Sequence, residues 1–84
     1  MLTLYKEKRP VFEKMNDTVH IGSQNIDGQL RLFHITFQED SGKYELKIYG
    51  LNRKLIGDFD TFDEAVEAAY IESDSFFEAR NAEA

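Results

Sequence analysis

Asp58, Asp60, Asp63 and Glu64 fall within seven consecutive positions, and carboxylates this dense are where a divalent cation would bind first. The run does not fit a calcium loop, because Phe62 stands where an oxygen ligand belongs. Acids also gather at helix starts, where the free backbone N–H groups favour negative charge. His20 and His34 are the only histidines and cysteine is absent, so a zinc site lacks its ligands. No serine sits in a nucleophile-elbow context, and the five glycines are dispersed at turns rather than gathered in a phosphate-binding loop. Nothing in the pattern brings an acid, a base and a nucleophile together. The expectation is therefore a protein with no enzymatic activity, no cofactor and no metal.

Charge is the more informative feature. Residues 1–54 carry nine bases and seven acids, a net +2, whereas residues 55–84 carry nine acids and one base, a net −8. No lysine or arginine lies between Lys54 and Arg80. On a helix starting near residue 61, Asp63, Glu64, Glu67, Asp74 and Glu78 crowd the face opposite the apolar stripe, with Glu72 at its edge. Like charges at i,i+4 cost a few tenths of a kcal/mol each, so a solvated helix usually mixes signs. An acidic face keeps a protein soluble. It also suits a basic groove: side chains at i, i+4 and i+7 rise about 6 and 10.5 Å, near the ~7 Å separating phosphates along a strand.

The elements that carry these groups follow from periodicity. Leu2–Tyr5 alternates as a short strand, and Pro10 interrupts it. Residues 11–15 read as a strand closed by Asn16-Asp17, with a single helical turn as the alternative. Thr18–Ile21 is a strand, and Asn25–Gly28 a hairpin turn. Residues 29–38 form the longest strand, apolar on both faces, which implies a central strand or a bulge near Leu32-Phe33. Asp40-Ser41-Gly42 turns the chain into a half-buried strand at 43–49. Residues 50–53 turn it again, and Lys54–Ile56 is a last short strand.

Asp60 or Thr61 caps the helix, and Thr61-Phe62-Asp63-Glu64 matches a capping box. Phe62, Val66, Ala69, Ser73 and Phe76 form its apolar stripe, flanked by Ala65, Tyr70 and Phe77. The chain reads as one α+β domain over 1–84: an antiparallel sheet of three to five strands in 1–60, a C-terminal helix over 61–79 packed on one face, and a frayed tail at 80–84.

Eighty-four residues with 42% apolar side chains make one small domain whose core supplies only roughly 3–5 kcal/mol net. Disulfides are closed to it, so a second copy of the chain is one route to added stability, through the sheet face or an edge strand. The longest apolar run, Ala68–Ile71, is far too short to span a membrane. The expected setting is cytoplasmic, and the chain is expected to be a complete small gene product.

Residues 44–70, from Tyr44 through Gly57, Phe59, Thr61, Glu64 and Ala65 to Tyr70, resemble the strand, basic turn and helix that end plant ethylene-response-type DNA-binding domains and the arm-binding domains of tyrosine integrases. The likeness implies the topology. It does not carry over DNA reading, since tryptophan is absent and arginine scarce. In size, acidity and lack of cysteine the chain is also similar to small phage-encoded inhibitors of the anti-CRISPR and anti-defence type. That likeness implies binding to a host nucleoprotein and blockage of its nucleic-acid site.

The leading expectation is a non-enzymatic inhibitor. Its acidic helix face, Asp63, Glu64, Glu67, Asp74 and Glu78, would occupy the basic surface of a nucleic-acid-binding protein. The alternatives are a sheet-face nucleic-acid binder using Lys43, Lys47, Tyr49, Arg53 and Lys54, and a structural or regulatory homodimer. Direct nucleic-acid binding ranks lower, because the helix field opposes phosphate.

Overall fold

Among the described residues, alternating apolar and polar side chains build five antiparallel strands, and the alanine-rich acidic segment after them builds one helix. The structure is a computed structural model that describes residues 9–26, 29–50 and 54–83, with side chains at 9–25, 30–50 and 55–75. The strands are β1 (Val11–Lys14), β2 (Val19–Ile26), β3 (Gln29–Gln38), β4 (Lys43–Tyr49) and β5 (Lys54–Phe59), and the helix is α1 (Phe62–Glu83). The sheet runs β1-β2-β3-β4-β5, so every neighbour in space is a neighbour in sequence. This is the expected α+β arrangement. The Leu2–Tyr5 strand and the Asp27-Gly28 turn lie outside the described residues.

β3 occupies the middle of the sheet, which is why it is apolar on both faces. Its register is continuous with β2 and β4, so no bulge falls at Leu32-Phe33. The one shift lies against β5, between Leu46 and Lys47. β2 runs five residues beyond its expected end at Ile21. The polar stretch Gly22–Asn25 has poor strand propensity, but pairing with β1 on one side and β3 on the other holds part of it in the sheet. The helix likewise continues to Glu83, past the expected end at Ala79 and through the expected frayed tail.

Turn chemistry sets the registers. Asn16 Oδ1 accepts the N–H groups of Thr18 and Val19 at 2.9 and 3.0 Å, fixing the turn into β2. Gly42 closes the β3–β4 turn at φ 72°, and its N–H donates to the Gln38 carbonyl at 2.8 Å.

Phe33, Ile35, Leu46, Ile48, Ala65 and Ala69 form the buried core. The two alanines let α1 approach β3, β4 and β5 closely. Over β2, Gly22 does the same for the chain entering the sheet. A Cβ there would sit 3.0 Å from Pro10 Cβ and 3.1 Å from the Phe12 ring.

Ser73 is fully buried on the same helix stripe, and Gln24 of β2 reaches it. Gln24 Nε2 donates to Ser73 Oγ, and Gln24 Oε1 accepts from Arg31 Nη1 at 3.3 Å. A polar clasp thus ties the helix to β2 and β3, since a buried amide without a partner would be costly.

Candidate binding surface

The capping interaction positions the acidic side chains. Thr61 Oγ1 accepts the Glu64 N–H at 3.1 Å, and the first intrahelical bond runs from Ala65 N–H to the Thr61 carbonyl at 3.3 Å. With Phe62, Ala65, Val66 and Ala69 turned inward, helix geometry turns Asp63, Glu64 and Glu67 outward, and all three are exposed. Among the described residues no ion pair reaches them. The two acids just before the helix do have partners: Asp60 pairs with Lys43 Nζ at 3.0 Å, and Asp58 accepts from Gln38 Nε2 at 2.8 Å. Hydrogen bonding to Asp60 raises the pKa of Lys43. Residues 58–67 hold five acids and no base, and among the described residues only Asp60 of these five is in an ion pair.

Ile71 completes this patch. It follows Glu67 by four residues and Glu64 by seven, so it lies beside both on the helix surface, and it is 64% exposed. The sequence reading passed over it. The available signal was a β-branched residue lying off the Phe62–Phe76 stripe and among acids.

Asp74 does not belong to the free acidic face. Arg9 Nε donates to its Oδ1 at 3.1 Å and Arg9 Nη2 to its Oδ2 at 2.6 Å, a two-point pairing. The guanidinium also lies 5.0 Å from the Tyr70 ring centre. The bond to Asp74 raises the pKa of Arg9 against the opposing effect of burial. The acid had no base near it in sequence because its partner lies 65 residues away. The Glu78 side chain lies outside the described residues.

Beside Asp63 a cleft of about 500 Å3 opens between β1, β2 and α1. Its apolar wall includes Phe12, Phe62, Val66 and Tyr70, and the His20 ring lies against Phe62, tilted by 51° with ring centres 4.5 Å apart. The acidic patch and this cleft are contiguous through Asp63, so a partner's basic side chains and an apolar one could be received together.

The alternative basic set lies on the opposite sheet face and beside it. Lys47 pairs with Glu45 at 3.2 Å, and Lys43 is held by Asp60. The Tyr49 ring lies against His34, tilted by 59° with ring centres 4.5 Å apart. Burial, and secondarily Lys47, lower the pKa of His34. The Arg53 and Lys54 side chains lie outside the described residues. Both described lysines of this set thus face carboxylates.

Among the described residues no group of His, Cys, Asp and Glu side chains converges as a metal site, and no helix is long and apolar enough to cross a membrane. No protein-family model, curated protein or solved structure matches the chain.

Proposed function

We propose that the chain is a non-enzymatic binding protein whose acidic helix surface occupies a basic, nucleic-acid-binding surface on another protein. The observation that carries the reading is the exposure of Asp63, Glu64 and Glu67, which no ion pair reaches among the described residues, around the exposed Ile71. Three carboxylates at i, i+1 and i+4 repel one another, and a cationic partner would relieve that repulsion. Ile71 supplies the apolar contact that a charged rim lacks. Its concrete form is an inhibitor of the small phage-encoded, anti-CRISPR or anti-defence type, acting in the host cytoplasm. Size, acidity and absence of cysteine support that form.

The test is capture from a bacterial lysate with tagged protein, with and without nuclease. The wild type should retain a basic nucleoprotein after nuclease and release it as salt rises, because exposed charges are screened over about 8 Å at physiological ionic strength. Replacing Asp63, Glu64 and Glu67 by their amides should abolish retention, with the circular dichroism spectrum unchanged. Equal retention by that triple variant would refute the proposal.

A further inference from the structure

We propose that the sheet face turned away from α1, which no described element covers, is a self-association surface that receives a second copy of this chain. The helix covers one face only. Directly paired residues share a face, so the registers place Val11, Ile21, Leu32, His34, Tyr49 and Leu55 together on the other. Val11 and Leu55 are 77% and 60% exposed, and Ile21 and Leu32 between them are half-buried. Apolar side chains therefore reach from the first strand to the fifth.

Two physical arguments select a second copy as the occupant. The first is area. Five strands spaced about 4.8 Å apart span roughly 24 Å, and seven residues of strand at about 3.3 Å each span roughly 23 Å. Two such faces remove about 1,100 Å2 from water, near the ~1,000 Å2 that a specific interface requires. The second is charge. Lys47 and Glu45 neutralise each other within the face at 3.2 Å, and the same registers add the exposed Glu13 and Asp58 to it, a balance that disfavours a polyanion as the occupant. The 84-residue chain also belongs to a size class that commonly gains stability by oligomerising.

The product is a four-layer assembly, helix, sheet, sheet, helix, with the sheets about 10 Å apart. Both Asp63–Glu67 patches then face outward on opposite sides. This inference stands independently of the acidic-surface reading, because it uses the other face of the sheet.

Sedimentation equilibrium of the full chain from micromolar to millimolar concentration tests it. The expected result is a mass approaching twice 9.8 kDa. Leu32→Lys should raise the dimer dissociation constant at least about 30-fold. Leu55→Lys, at a more exposed site, serves if Leu32→Lys does not fold. The variant with amides at Asp63, Glu64 and Glu67 should dimerise as the wild type does. A monomer at every concentration overturns the proposal, as does a dimer unmoved by both lysine variants. Retardation of RNA or DNA by the wild-type chain with no dimer at any concentration would replace it with a nucleic-acid surface.

Discussion

Ser73→Ala tests how the helix is held to the sheet. The serine is fully buried, and its oxygen accepts from Gln24 Nε2 of a side chain only 3% exposed. Removing the hydroxyl takes away the acceptor of that bond, while Gln24 Oε1 keeps its bond from Arg31. Removing one partner of a buried hydrogen bond costs about 1–3 kcal/mol. Alanine is the better helix former by about 0.5 kcal/mol, so the net loss is about 0.5–2.5 kcal/mol. For a domain of this size that lowers the melting temperature by roughly 3–15 °C. Urea unfolding gives the free energy directly, with Gln24→Leu and the double variant completing a cycle. The double variant should lose less than the two single losses combined, because it removes both partners of the bond together. A Ser73→Ala protein as stable as the wild type would refute the clasp.

Gly22→Ala should destabilise the fold by about 1–3 kcal/mol in the same assay, since its methyl meets Pro10 at 3.0 Å. Asp74→Asn should lower the melting temperature while leaving retention of the basic partner unchanged, because that carboxylate is spent on Arg9; equal melting and weaker retention would reverse the assignment. His34 is disfavoured in its charged form by burial and by Lys47. The unfolded chain therefore binds this proton more readily, and stability should fall as pH drops through about 6.5 and level off below the lowered folded value. Urea titrations across that range, with His34→Gln as the control, should show the slope in the wild type alone.

Much of this architecture is local and therefore legible. The strands β3 and β4 declare themselves by alternation, the β3–β4 turn by Gly42, and the helix start by Thr61 and Glu64. The stripe through Val66, Ala69 and Ser73 gave the buried helix face. What escaped depends on contacts distant in sequence. The strand character of Gly22–Asn25 comes from pairing with β1 and β3, against the propensity of those residues. The burial of Gln24 requires a serine 49 residues later. Asp74 looked free because helix periodicity reports which way a side chain points but not that Arg9 is folded back upon it. Asp63, Glu64 and Glu67 were placed correctly on the exposed face because helix geometry alone decides that.

Displacement of labelled nucleic acid from the captured basic partner tests the central claim most directly. Titrating the chain into the preformed partner–nucleic acid complex should release the label completely. The variant with amides at Asp63, Glu64 and Glu67 should release none over the same range. A ternary complex that keeps the nucleic acid bound while holding the chain would contradict occupation of that surface.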